Sequence, residues 1–421
     1  MKSWFNKAKF GIFLHWGIFT QANVSESWAF FNGEIPYDEY MKHAESFNPQ
    51  SYDPEKWAKI FKRAGAKYVV LTTKHHEGMA LWGTKAGGLN VIENTPCKKD
   101  LVAPYCKAMA DADLKVGLYY SHLDWSHPDY PSIVPRSDEW WASSPFNCPK
   151  DKKDHLDAWE RFMKFHRAQL TELIDNYSPD LLWFDGVWER PAEFWHFDEM
   201  ADFIRSRSPK TVINHRIGEY GDYKCPEQGV PTSAPKEDWE LCLTLNDSWS
   251  YKDYDKNFKS TREIIRIFTD CIGNGGNLLL GIGPDKNGEI VKDYEDRLNA
   301  IGDWISPRAE AIYDTTRGLS PSFFLGASTF SQDRKNLYLF QYDMPLGEIP
   351  IKGLTSTPTS VTVLGGSGKE LSFRRALGFG AVPGILWITL PKEEVDPTCT
   401  VIKLAFDEEI QIYEGEGGGI V

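Results

Sequence analysis

Along the first 313 residues, short apolar runs alternate with amphipathic segments, and each run has the length of a strand. The runs predict seven buried strands, at Phe10–Trp16, Lys67–Thr73, Lys115–Ser121, Asp180–Gly186, Thr211–Arg216, Trp239–Leu245 and Asn277–Pro284. Helical segments separate them. In "DPEKWAKIFKRAG", Asp53 is placed to cap, Pro54 suits the first turn, Trp57, Ile60 and Phe61 share a face, and Gly65 ends the helix. Similar patterns predict helices over 100–113, 155–177, 193–208, 260–276 and 293–313. Continuous Val/Ile/Leu-rich strands separated by helices imply a parallel sheet covered on both faces. An α/β fold follows. Eight strands would close a (β/α)₈ TIM barrel, so seven plus one unrecognised strand is the expectation. A doubly wound open sheet is the alternative. No Gly-x-Gly-x-x-Gly follows the first strand, which speaks against a dinucleotide site.

After about Thr316 helical periodicity disappears. Short β-rich runs such as "NLYLFQY", "SVTVLGG" and "ILWITL" stand between Gly and Pro turns. The expected organisation is a catalytic-type barrel over 1–316 and a C-terminal β-sandwich over 317–421. A polar stretch rich in Pro, Ser and Trp runs to about Lys153, and the tail "EGEGGGIV" reads as loose.

Composition narrows the function. The 421 residues carry a net charge of −13, without a Lys/Arg run long enough for phosphates, so nucleic acid and anionic membranes are poor partners. Seven cysteines at wide spacings, with no CxxC pair, suit reduced thiols better than disulfides or structural zinc. The N-terminal apolar run is interrupted by His15 and is followed by no signal-type cleavage site, so a cytoplasmic location is expected. Nothing in the pattern indicates a cofactor, and a homo-oligomer is compatible with it.

Candidate chemistry sits at the ends of the predicted strands, where parallel barrels place their sites. Strand one ends at His15 and Trp16, strand two at Lys74, His75, His76 and Glu77, and strand three at Tyr119, Tyr120, Ser121 and His122. Strand four ends at Trp183 and Asp185, and strand five at Asn214, His215 and Arg216. Each alone is compatible with a hydrogen-bonded structural residue; together they line one mouth. Asp185 follows a buried run, so its carboxylate must be paired or used. It reads as a nucleophile, or as a helix cap or an ion pair with Arg216. Glycoside cleavage needs a second carboxyl group. Glu227, in the loop "GDYKCPEQGVP", is the first candidate, and Glu240, at the start of strand six and hence at the opposite face, is the second. His75 and His76 are adjacent and point to opposite faces of a regular strand, so they cannot share a metal there. If the chain turns just after Thr73, both face the cavity and suit sugar hydroxyls. Trp16, Trp28, Trp82, Trp125 and Trp183 lie where sugars could stack.

The segments "KFGIFLHWG", "YVVLTTKHHEGMALWGTK", "KVGLYYSHLDW", "DLLWFDGVWE" and "GGNLLLGIGPDKNGEI" together resemble the retaining α-L-fucosidases of glycoside hydrolase family 29, in order over most of residues 9–290. The resemblance implies a (β/α)₈-like barrel with a C-terminal β-sandwich. It implies exo-acting hydrolysis of terminal α-L-fucosyl linkages, with retention through a covalent intermediate and without a metal. Asp185 would be the nucleophile and Glu227 the acid/base. His15, His75, His76, Tyr119 and Arg216 would bind fucose, with Trp183 beside the sugar and Trp28 and Glu26 near a further contact. Glu77 and Met79 replace the family's common Asp and Phe, Gly281 a common Asn, and Ser250 a common Gly. A related glycosidase such as an α-L-galactosidase, and a non-catalytic fucose-binding protein, are the alternatives.

Overall fold

A computed structural model describes residues 3–130, 155–380 and 382–415. The polar stretch before Lys153, Cys148 and most of the glycine-rich tail lie outside them. Seven parallel strands form one curled sheet: β1 (Phe10–Leu14), β2 (Tyr68–Lys74), β3 (Lys115–Ser121), β4 (Leu181–Asp185), β5 (Val212–Ile213), β7 (Glu240–Thr244) and β8 (Asn277–Ile282). Their order is β5-β4-β3-β2-β1-β8-β7. A short strand β6 (Arg216–Glu219) follows β5 outside this sheet. All seven apolar runs therefore fall on strands. The fifth is shorter than expected, because the chain leaves the ladder after Ile213.

Alternation along the strands separates two cores. Phe13, Tyr68, Val70, Tyr119, Leu181, Trp183, Val212, Cys242 and Leu279 pack together on the inner face of the curl. Their neighbours Ile12, Leu14, Val69, Leu71, Leu118, Leu182, Phe184 and Leu280 face outward and join the helices. This period of two is invisible in the hydropathy, because both faces are apolar. Gly11 is required by the inner packing: a Cβ there would stand 2.4 Å from Cζ of Tyr68.

Among the described residues no eighth strand joins this sheet, which leaves β5 and β7 as its two edges. Residues 223–227 run between them and make isolated parallel bridges, Asn214 with Tyr223 on one side, Lys224 with Trp239 and Glu227 with Cys242 on the other. Pro226 has no amide hydrogen to donate, so a regular ladder does not form here. Tyr223 and Cys225 join the inner core.

Helices cover the outside. Asp53 caps the helix Pro54–Arg63, its side chain accepting from the amide of Lys56. The segment 193–208 differs from expectation. It forms two helices, Ala192–Trp195 and Phe197–Arg207, divided at His196 with φ 48°. The segment 293–313 is likewise helical only over Lys292–Ile305, then tightens to a 3₁₀ turn at Ser306–Ala311, where Pro307 cannot continue the α-helix.

Two antiparallel sheets follow. One joins β9 (Thr315–Arg317), β10 (Ala327–Ser331), β11 (Asn336–Gln341), β13 (Ser360–Leu364) and β16 (Thr400–Ala405); the other joins β12 (Ile349–Lys352), β14 (Phe373–Ala376) and β15 (Ile385–Ile388). One apolar cluster draws Leu337, Leu339 and Ile402 from the first sheet and Ile351, Leu386 and Ile388 from the second. The strand β9 crosses the expected 316/317 boundary and belongs with the C-terminal sheet. Among the described residues no helix is long and apolar enough to cross a membrane.

Candidate active site

The inner core ends in a polar layer at the C-terminal mouth of the sheet. Two residues beyond Phe13, on the same face, stands His15; two beyond Trp183 stands Asp185; and two beyond Cys225 stands Glu227. Phe13, His15, Trp183, Asp185 and Glu227 line a cavity with an open space of about 550 Å³, together with Trp28, His75, Tyr119, Trp188, Arg216 and Trp249.

Three donors hold Asp185. The Tyr119 hydroxyl donates to Oδ2 at 3.0 Å, the Gly186 amide to Oδ1 at 2.9 Å, and Arg216 forms an ion pair with Oδ1. Gly186 makes the turn after β4 with φ 83°, and a Cβ there would meet Leu123 Cγ at 2.5 Å. The second amino group of Arg216 pairs with Glu227, so one guanidinium forks between the two carboxylates. Its plane centre stands 5.1 Å from the Trp183 ring centroid. Partial desolvation at the cavity wall raises the Glu227 carboxyl above its usual range, although its side chain stays 36% exposed; Arg216 opposes the shift and Asp185 adds to it. The ion pair that was one reading of Asp185 thus exists, inside the cavity rather than in place of it.

The two adjacent histidines face the same side. The β2–β3 ladder shifts register between Thr72 and Lys74, the irregularity that frees the chain from strict alternation. The turn comes after Lys74, one residue later than expected, and Gly78 closes it by donating its amide to the His75 carbonyl at 3.0 Å. The rings of His75 and His76 lie 4.3 Å apart, and His75 stacks on Tyr119 at 5.6 Å. His75 Nδ1 hydrogen-bonds Ser27 at 2.6 Å, and His76 Nδ1 hydrogen-bonds Ser121 at 2.7 Å. Burial pushes His15, His75 and His76 well below the usual imidazole range, so all three are neutral at pH 7. His76 stands just behind the lining, its Nε2 3.7 Å from Asp185 Oδ2. Buried His15 Nδ1, His76 Nε2 and Trp188 Nε1 make no hydrogen bond among the described residues. They are polar atoms available to a ligand. Among the same residues no group of three His, Cys, Asp or Glu side chains is arranged to hold a metal ion.

Glu240 is not brought to the cavity. It begins β7, one layer below, where Tyr68 donates to it at 2.5 Å and Trp183 Nε1 at 3.0 Å. Burial lifts its carboxyl to about 7 despite these bonds. It therefore props the floor from beneath. Glu26 also lies outside the lining and accepts from the Ser250 amide at 2.6 Å. Of the other tryptophans that could stack, Trp16, Trp82 and Trp125 are buried in the outer core. Phe13, Trp188 and Trp249 were not anticipated. Phe13 and Trp188 sit at i−2 of His15 and i+3 of Asp185, a signal present in the sequence. Trp249, 5.1 Å from the His15 ring, lies in a loop with no such signal.

A family model described as alpha-L-fucosidase matches residues 1–310. The chain is 30% identical over 398 residues to an alpha-L-fucosidase of Branchiostoma floridae, covering 87% of this chain and 84% of that protein. It is 32% identical over 340 residues to the human tissue alpha-L-fucosidase, covering 74% of this chain and 69% of that protein. Alpha-L-fucosidase isoenzyme 1 from Paenibacillus thiaminolyticus superposes with a TM-score of 0.85 at 32% identity, covering 96% and 98% of the two chains. A GH29 alpha-L-fucosidase from Bacteroides thetaiotaomicron, trapped as a covalent intermediate with 2-fluoro-fucosyl fluoride in a Glu-to-Gln mutant, superposes with a TM-score of 0.81 at 25% identity, covering 95% and 94%.

Proposed function

This chain belongs to the alpha-L-fucosidase family, and we propose that it is an exo-acting, retaining α-L-fucosidase whose nucleophile is Asp185 and whose acid/base is Glu227. The observation that carries the residue assignment is the Arg216 fork, which pairs with both carboxylates in one cavity. Retaining glycosidases need two carboxyl groups about 5–5.5 Å apart, and two nitrogens of one guanidinium hold such groups close. Asp185 Oδ2 attacks the anomeric carbon as Glu227 protonates the departing oxygen. The ester to Asp185 is then hydrolysed by water that Glu227 deprotonates. Three donors hold the Asp185 carboxylate in place and aim it. Burial keeps Glu227 protonated to higher pH than a free glutamate.

Fucose is a 6-deoxy sugar with one methyl group and little charge. His15, His75, His76, Tyr119 and Arg216 supply the polar contacts. Phe13, Trp183 and Trp249 supply an apolar wall for the methyl, and Trp28 and Trp188, stacked 6.0 Å apart, line the same cavity. In the same reading the curled sheet is a (β/α)₈-like barrel whose eighth position is taken by residues 223–227, and the antiparallel sheets form a β-sandwich. The substrate is a fucosylated oligosaccharide or glycoconjugate.

Incubation with an aryl α-L-fucoside in the presence of EDTA should release the aglycone, with fucose first appearing in the retained α configuration. With 2-fluoro-fucosyl fluoride, peptide mapping should find the label on Asp185. No turnover, loss of turnover to the chelator, or a label elsewhere would each reject the assignment. An aryl α-L-galactoside should react more slowly, though an apolar pocket disfavours one added hydroxyl by only about 100-fold.

A further inference from the structure

Ser121 makes two hydrogen bonds with one proton. Its Oγ is 2.8 Å from the Leu123 carbonyl oxygen and 2.7 Å from His76 Nδ1. A carbonyl oxygen only accepts, so the hydroxyl proton belongs to that bond. The ring nitrogen must then be the donor. Ser121 and the Nδ1 side of His76 are buried against each other, away from the cavity side where Nε2 stands near Asp185. The His76 ring is kept neutral by burial, with Arg216 and Lys74 adding to the effect. A neutral ring with its proton on Nδ1 has a bare lone pair on Nε2.

That lone pair explains the neighbouring contact. Nε2 stands 3.7 Å from Asp185 Oδ2, beyond hydrogen-bond length, as expected of two acceptors side by side. Nε2 also has no other partner among the described residues.

We propose that Ser121 is a positioning residue that locks His76 in the Nδ1-protonated tautomer, making Nε2 an acceptor for a substrate hydroxyl beside the nucleophile. Resting on the fucosidase reading, it adds a direction: the sugar hydroxyl that meets His76 donates its proton. The lock has a second effect. It keeps a ring N–H from bonding to Asp185, where a donor would stabilise the carboxylate and weaken its attack. The three donors already on Asp185 come from Tyr119, Gly186 and Arg216, none of which exchanges its role.

Protein labelled with ¹⁵N-histidine tests this without turnover. The His76 resonances are assigned by their loss in His76→Asn. The unmodified protein near pH 7 should show an unprotonated-type shift for Nε2 and a protonated-type shift for Nδ1. The reverse pattern, or a doubly protonated ring, would overturn the proposal while leaving the fucosidase reading intact. In Ser121→Ala the proton should move to Nε2, and kcat/KM for an aryl fucoside should fall about 10- to 100-fold, the value of a hydrogen bond beside a charged group. Ser121→Thr, which restores the hydroxyl, should recover both the shift and most of the rate. An alanine variant that folds, keeps the Nδ1 proton and loses rate would assign Ser121 to packing alone and so sink the lock. Failure of all proteins to cleave the fucoside, with the expected shifts present, would count against the fucosidase reading and not the tautomer.

Discussion

At the residue scale, the site sets carboxylates in different environments. Asp185 is held by three donors, whereas desolvation at the cavity wall raises Glu227, so its acid form persists to higher pH. Replacing Asp185 with Ala should lower kcat by a factor on the order of 10⁴ or more, with azide restoring no fucosidase turnover of the retaining kind. Glu227→Ala should be partly rescued by azide on an activated aryl fucoside, whereas Glu240→Ala should lose stability and show no rescue. Because the folded Glu227 carboxyl is raised, its acid form persists above the usual glutamate range and is lost as pH climbs through the raised value. The alkaline limb of kcat/KM should therefore report Glu227 and vanish in Glu227→Gln. Glu77 offers a different measurement. It is buried beside His75, with one oxygen unpaired, and burial lifts it to about 8. The folded state then holds a proton that the unfolded chain releases above about 4.5. Stability should decline between those two pH values, by at most about 1.4 kcal/mol per pH unit, and flatten above 8. Urea titrations of Glu77→Gln should lack this slope; an equal slope in both proteins would place the proton elsewhere.

At the element scale, each functional group is aimed by a departure from regularity. Asp185 is turned by Gly186, the histidine pair by the register shift at Thr72 and Lys74, and Glu227 by a segment that cannot form a ladder at Pro226. Gly186→Ala should cost roughly 1–3 kcal/mol in stability, since the added methyl would press into Leu123. It should also reduce kcat, because relief of the clash rotates Asp185. A variant with the original melting temperature and rate would show the turn to be permissive. Regular elements obey simpler rules. Asp53→Ala removes the cap of the helix Pro54–Arg63 and should cost about 1 kcal/mol with no change in KM. The strands were legible because buried parallel strands are continuous apolar runs. The break at His196 was not, since nothing in "EFWHFDEM" disfavours a continuous helix.

At the scale of the whole molecule, the five-stranded C-terminal sheet shares a core with the parallel sheet's helices. Ala327, Tyr338, Phe340 and Val401 belong to the same apolar cluster as Phe268 and Trp304. Trp304 Nε1 donates to the Cys399 carbonyl at 3.0 Å, and Arg308 pairs with Asp396 at 2.7 Å. Gly273 ends its helix against the backbone of Ser328, 3.1 Å from where its Cβ would lie. Removing residues 317–421 should therefore expose apolar surface, and sedimentation of the 1–316 fragment should show aggregation rather than a monodisperse species. A soluble, active fragment would show that the shared core is dispensable.

The sequence by itself determined the alternation of strands and helices, the change of texture near Thr316, and the row of polar groups at strand ends that includes Asp185. These follow from local periodicity, which side-chain chemistry writes directly into the chain. Tertiary structure decided how high each group stands in the curl and which face it meets. Glu227 and Glu240 are both carboxylates near inner-facing positions, yet one reaches the mouth and the other lies under Trp183. That difference depends on the register of distant strands against each other, and no residue carries it alone.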